Sequence, residues 1–304
     1  MSYRALFATL AALLTGCAAG HSVGGDDAPA DASPATIDAP AGGPDADPGS
    51  PDATVPDAPD AGPSGTAEVL ALSEVVLAPT GAEMIEIVNP GAAAVDLSHY
   101  YLSDAPTYFR LPDGSQTLDS ADFIARFPSG ASIPGGGVVV VAISTAADFQ
   151  TATGVAPTYS VADGTMTVVA ASGTPTLTNA GELVALFYWD GAADLVTDVD
   201  LFNAGVPTAA NRLTGKAGVA IDGPDGGATT STYRAEAGTL PDQAAAPGSG
   251  LSTKRVALEA GHETQAGTGN GVDGHDETSE ATADTWDQGS FTAPTPGTTT
   301  LPLP

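Results

Sequence analysis

Basic residues are scarce in this 304-residue chain: 8 lysines and arginines stand against 37 aspartates and glutamates, a formal charge of −29. Nucleic-acid binding needs a basic stripe that displaces counterions from phosphates, and no such stripe exists here, so nucleic acid is excluded as a partner. An anionic membrane surface repels such a chain as well, so any attachment to a membrane has to come from lipid. Cysteine is nearly absent too. Cys17 stands alone, which rules out an intrachain disulfide and a thiolate metal site and leaves stability to the core. The familiar catalytic signatures are missing. His262-Glu263 is followed by Ala266 where a metalloprotease helix needs its second histidine, and no Gly-x-Ser-x-Gly elbow occurs. Gly269-Asn270-Gly271-Val272-Asp273-Gly274 has dinucleotide-loop spacing, but it follows no strand and opens no helix, so it reads as a flexible loop. No long stretch carries a 3.6-residue apolar period, which excludes a helical fold.

What is present at the N-terminus has the layout of a signal peptide over residues 1–16. Met1-Ser2-Tyr3-Arg4 is a short positive start, Ala5 to Leu14 is apolar but too short to span a bilayer, and small residues follow. Leu14-Thr15-Gly16-Cys17 resembles the lipobox of bacterial lipoproteins. The resemblance implies that Cys17 receives a diacylglycerol, becomes the mature N-terminus and anchors the protein in a membrane; two acyl chains meet the requirement for stable anchoring. Secretion with a free thiol is the alternative. The expected location is the bacterial cell envelope, at the outer membrane or cell surface, since Ala18 follows the cysteine.

Residues 17–64 are a different material. Gly25 to Pro63 repeats Asp-Ala-Pro, Pro-Asp-Ala and Asp-Ala-Gly without a lysine, arginine or aromatic residue. Like charges repel, proline favours extended backbone, and too little apolar area is available to offset chain entropy. A disordered tether is expected, reaching roughly 140 Å at full extension.

From residue 65 to 297 the chain has the grammar of an all-β domain. Val69–Leu77, Met84–Val88, Val95–Leu97, Tyr100–Ser103, Val138–Ile143, Met166–Ala170, Leu183–Trp189 and Val196–Leu201 read as strands between glycine, proline, asparagine and aspartate turns. Two short helices are expected, at Ser120–Phe127 after Asp119 and at Ala146–Thr153. Glu86 alternates with Ile85 and Ile87, so it is expected to face solvent or the rim. Leu251–Leu258 reads as a half-buried closing strand through Val256 and Leu258, with Trp286 and Phe291 packing back on the domain and residues 298–304 frayed. Long loops are expected at Leu111–Ser132, Ser144–Asp163 and across a glycine-rich insertion at about 215–250, and loops on a rigid scaffold are where binding sites sit.

The order of these motifs resembles a lamin tail domain. The resemblance is carried by Leu72-Ser73-Glu74-Val75-Val76, Glu83–Gly91, Val95–Asp104, Ile133–Val141, Asn179–Leu186 with Val196–Asp200, Ser252–Arg255, and Ala293-Pro294-Thr295-Pro296-Gly297. It implies an immunoglobulin-like β-sandwich with long loops. Met84 stands where tryptophan is usual, and His99-Tyr100 replaces Gly-Trp.

One metal site is a candidate. Asn270, Asp273, Asp276 and Glu277 fall within eight residues among glycines, and calcium takes oxygen ligands on such turns. Asp222-Gly223-Pro224-Asp225 is a second, looser cluster, and solvated acidic loops are the alternative for both. No organic cofactor is implied and no catalytic residue is assigned. The expected function is a non-enzymatic, membrane-anchored, monomeric surface lipoprotein whose sandwich binds a protein, polysaccharide or cell-wall component. An accessory or degenerate hydrolase module, calcium-dependent or not, is the alternative.

Overall fold

The computed structural model describes residues 67, 69–205, 215–236, 244–263 and 267–303. The segments expected as signal peptide and tether, with Cys17, lie outside the described residues, as does part of the glycine-rich insertion. In chain order the strands begin with β1 (Ala71–Val76), β2 (Met84–Val88), β3 (Val95–Asp96), β4 (Tyr100–Ser103), β5 (Phe123–Arg126), β6 (Ser132–Ile133) and β7 (Val138–Ala142). They continue with β8 (Tyr159–Ser160), β9 (Thr167–Ala171), β10 (Gly181–Tyr188), β11 (Thr197–Gly205), β12 (Ala220–Ile221), β13 (Ser231–Thr232) and β14 (Thr253–Lys254). Two α-helices are present among the described residues, α1 (Ala146–Thr153) and α2 (Thr282–Thr285), besides short 3-10 turns.

Two five-stranded sheets form an immunoglobulin-like sandwich, ordered β14-β1-β2-β7-β8 and β11-β10-β4-β5-β9. Every pairing in them is antiparallel except β7 with β8. Between the sheets lies the main core, with Leu72, Val75, Ile85, Ile87, Val139 and Val141 from one side and Leu102, Phe123, Val184, Leu186 and Phe202 from the other. The β-branched run of β7 and the alternation of β2 supply one wall of that core, as the sequence pattern requires.

Both sheets are also covered on their outer faces. Tyr101, Leu183, Ala185 and Phe187 meet a second apolar layer formed with Tyr108, Phe109, Ile221 and Tyr233. On the other sheet, Val76, Met84 and Val140 pack against Phe149 of α1, while Ala71 and Val88 pack against Leu301. Helix α1 forms where expected: Thr145 caps its N-terminus by accepting from the Asp148 amide, and Gly154 ends it in the left-handed region.

The double covering corrects the expectation for Glu86, which is 0% exposed. Its neighbours Ile85 and Ile87 face the inner core, so Glu86 does point outward. The C-terminal segment lies over that face, and Gly297 donates its amide to Glu86 Oε2 at 2.7 Å. Thr295 donates amide and hydroxyl to Glu74 in the same way. Within residues 298–304, expected as a frayed end, Leu301 is buried and Leu303 partly buried against Ala71 and Val88, while Thr298, Thr300 and Pro302 are exposed.

The helix expected at Ser120–Phe127 is replaced by β5. Its side chains alternate, Phe123 and Ala125 toward the inner core and Ile124 toward the outer layer. Asp122 accepts from the Asp119 amide, the reverse of the cap that was expected, and Phe123 donates its amide to Asp104. The closing strand is shorter than expected: β14 pairs with β1 and ends before Val256, which is 52% exposed. Trp286 is buried against Phe202, ring centroids 4.4 Å apart, and Phe291 is half-buried.

Candidate functional site

The polar residues of the sequence motifs are spent on the scaffold. Asn89 donates to the carbonyls of Ala93 and Ile133 and accepts from Gly91, closing its turn. Glu74 and Glu86 hold the Pro294–Gly297 segment. Asp104, whose carboxyl is held well above the usual range by burial and by Glu182, holds the start of β5. Burial likewise raises Glu83 to about 7, although the Leu177 amide bonds its carboxylate.

Strand β11 carries two buried aspartates into two charged clusters. Asp198 accepts from the Tyr108 hydroxyl at 2.6 Å and pairs with Lys216. Lys216 is 1% exposed and lies over the rings of Tyr108 and Tyr233; burial lowers its pKa, with Glu236 pulling it back up. This cluster fastens the β12–β13 hairpin to the outer aromatic layer.

The second cluster is larger. Arg255 Nη2 donates to Asp200 Oδ1 and Oδ2 at 2.5 and 2.7 Å, Nη1 to Glu280 at 2.6 Å and Nε to the Leu72 carbonyl at 2.8 Å. The guanidinium also lies over the Trp286 ring. Glu259 also faces the guanidinium, so three carboxylates meet one arginine; Glu277 lies beside Glu259, and Glu263 beside His275 and Glu280. Burial and mutual repulsion push Glu259 up to about 9 and Glu277 well above its ordinary value. Burial also raises Asp200 to about 7 against the pull of Arg255. Four carboxylate oxygens here are enclosed without a hydrogen-bond partner among the described residues: Glu259 Oε1, Glu263 Oε2, Glu277 Oε2 and Glu280 Oε2.

The glycine-spaced loop builds one wall. A Cβ on Gly269 would stand 2.0 Å from the His275 carbonyl oxygen, and one on Gly271 would stand 3.0 Å from Glu277 Oε1. Glycine is required for this close approach, which seats His275 and Glu277. The flexible loop expected at Gly269–Gly274 is thus a tight fold, and not a phosphate cradle.

The four residues read from sequence as a calcium site are not brought together. Asn270 is bound to the Arg234 backbone and to Glu236. Asp273 is exposed at positive φ, and Asp276 caps Thr278. Glu277 alone joins a ligand group, with Glu259 and His275. The looser cluster converges further, since Asp222 and Asp225 meet Asp194; Asp194 is occupied by the Gly223 amide and the Ser231 hydroxyl. Arg255 enters the sequence reading only as the end of the Ser252–Arg255 motif, and Glu259 and Glu280 do not enter it. The basic residue beside the β14 strand was their available signal.

An open cleft of about 340 Å³ lies at the start of β11, lined by Leu195, Thr197, Ser231, Thr232, Arg234 and Asn270 among others. Arg234 is exposed there, whereas Lys216 and Arg255 are enclosed.

Residues 63–200 match the family model of the Lamin Tail Domain, a family of non-catalytic immunoglobulin-like domains. No curated protein matches the chain, and no solved structure does. The matched segment ends at Asp200. β14 and Pro294–Gly297, which lie beyond it, belong to the same sandwich by their pairing with β1 and their bonds to Glu74 and Glu86.

Proposed function

We propose that this protein is a non-enzymatic surface lipoprotein of a bacterial envelope. Cys17 carries the lipid, residues 17–64 space the domain from the membrane, and the sandwich binds a polysaccharide or cell-wall glycan. The lipobox-like Leu14–Cys17 and the acidic repeats support the anchor and spacer. The cleft at the start of β11 carries the choice of target. Its hydroxyls (Thr197, Ser231, Thr232) and the Arg234 guanidinium suit the many oxygens of a sugar chain, and Leu195 offers an apolar patch for a ring face. A protein partner is the competing target of the same surface.

Two measurements test this reading. Cys17→Ser should move the protein from the membrane to the soluble fraction; retention on membranes would overturn the anchor. The soluble full-length variant should co-sediment with insoluble envelope polysaccharide or cell wall, and Arg234→Ala should weaken that binding. Absence of co-sedimentation, or binding indifferent to Arg234, would overturn the glycan assignment.

A further inference from the structure

We propose that Glu259, His275 and Glu277 form a site for a divalent first-row transition-metal ion of the zinc class. One carboxylate oxygen of each glutamate and a ring nitrogen of His275 lie within 4.8 Å of one another. All three residues line one cavity of about 100 Å³. Zinc stands about 2.0–2.2 Å from nitrogen and carboxylate ligands, so small side-chain movements bring the three donors onto one ion.

A separate observation points to the ion. Glu277 is 2% exposed and lines the cavity; its carboxyl lies within hydrogen-bonding reach of Glu259, and its Oε2 meets no N–H or O–H donor among the described residues. Glu259 Oε1 shares that condition. Buried polar atoms are nearly always partnered, and buried charges are paired or coordinate a metal. Arg255 is already committed to Asp200, Glu280 and Leu72, so two carboxyls this close are held together by a shared proton or by a bound cation, and a metal ion that displaces the proton serves both.

The donor set selects its class. Calcium takes six to eight oxygens and magnesium keeps its waters, whereas imidazole with carboxylates suits zinc and its neighbours. Glu263 Oε1 lies 3.0 Å from His275 Nδ1. A carboxylate on one ring nitrogen is the usual support of a histidine ligand, fixing the tautomer so that the other nitrogen keeps its lone pair. The ion would pin the turn after Glu259 to the loop from Gly269 to Glu280, beside the Arg255–Asp200 pair. Its role is to close the C-terminal part of the sandwich, which is independent of what the cleft binds.

The test uses the full chain in detergent, stripped with a chelator and titrated with zinc, calcium and magnesium chlorides by equilibrium dialysis and thermal unfolding. One tightly held zinc per chain and a raised Tm with zinc are expected. Glu263→Gln should weaken zinc binding by about 10–100-fold, and Glu259→Gln and His275→Asn should weaken it further. His262→Asn, outside the set, should change nothing. Glu259 and His275 are half-buried, so their variants decide the matter if Glu277→Gln does not fold. Zinc affinity unchanged in both Glu259→Gln and His275→Asn, no stoichiometric zinc, or tighter binding of calcium than of zinc would each overturn the proposal.

Discussion

Asp198 and Asp200 stand two residues apart on β11 and face opposite sides of its sheet. Regular alternation would put them on one side. Asp198 is opposite Phe187 and Asp200 opposite Leu186, which leaves Val199 as the extra residue of a β-bulge. Asp198 therefore joins Tyr108 and Lys216 in the outer aromatic layer. Asp200 joins Arg255 and the Leu72 amide at the inner side. One irregular strand thus fastens both the β12–β13 hairpin and the C-terminal segment to the sandwich.

Removing Arg255 should be severe. Arg255→Met leaves Asp200 and Glu280 buried without their cation, and breaking a buried pair this way costs about 3–5 kcal/mol. Arg255→Lys should restore only part, because one ammonium cannot serve two carboxylates and the Leu72 carbonyl together. Urea unfolding measures both. A loss below about 1 kcal/mol for Arg255→Met, the range of exposed pairs, would contradict the account.

Lys216→Met should act locally. Asp198 keeps the Tyr108 hydroxyl but loses its cation, and leaving a buried polar group short of a partner costs about 1–3 kcal/mol. Hydrogen exchange should speed by roughly ten- to a hundredfold within residues 215–236, with β1, β2 and β10 protected as before. Uniform acceleration through the sandwich would show that the hairpin is part of one cooperative unit with it.

Most strands could be read from the sequence because β-branched runs such as Val138–Ile143 are bounded by turn residues, and α1 because Thr145 and Gly154 mark its ends. The burial of Glu74 and Glu86 could not. A period-two pattern assumes one wet face, and here Phe149, Leu301 and the Pro294–Gly297 segment cover the outer one. Phe123–Arg126 looked helical because four residues with an acidic start fit either element; only contact with both apolar layers decides for a strand. At the candidate site Glu277 was visible as one acid among many. Its partners Glu259 and His275 come from a separate turn and from beyond the glycine loop, and no spacing rule links them.

Stability should fall as pH rises. Glu83 has a folded pKa of about 7 against an ordinary 4.5, raised by burial. The folded state therefore binds more protons than the unfolded chain between those values, so unfolding free energy decreases with pH across that window. The stabilisation is complete below about 4.5 and lost as pH passes 7, worth up to about 3 kcal/mol. Glu86, Asp104 and Asp122, also raised chiefly by burial, act in the same direction. Denaturation at pH 5.5 and 8 should show the decline, and Glu83→Gln should flatten it. An unchanged slope in that variant would remove Glu83 as its source.

The C-terminal segment should prove integral, in two separable layers. Truncation after Gly250 removes β14, Arg255 and Trp286 together. Asp200 then stays buried without its guanidinium, Phe202 loses the ring that covers it, and β1 becomes an open edge. Cooperative unfolding should be lost. Truncation after Phe291 keeps those groups and removes the cover over the outer face, together with the bridge from Ser252 to Thr292, exposing Glu74, Glu86, Ala71 and Val88. Water can then solvate the two carboxylates, which offsets part of the lost bonding. That chain should still unfold cooperatively, destabilised by about 1–3 kcal/mol. Circular dichroism melts distinguish the two. A chain ending at Gly250 that keeps its β-sheet signal and its Tm would show that everything beyond is an appendage.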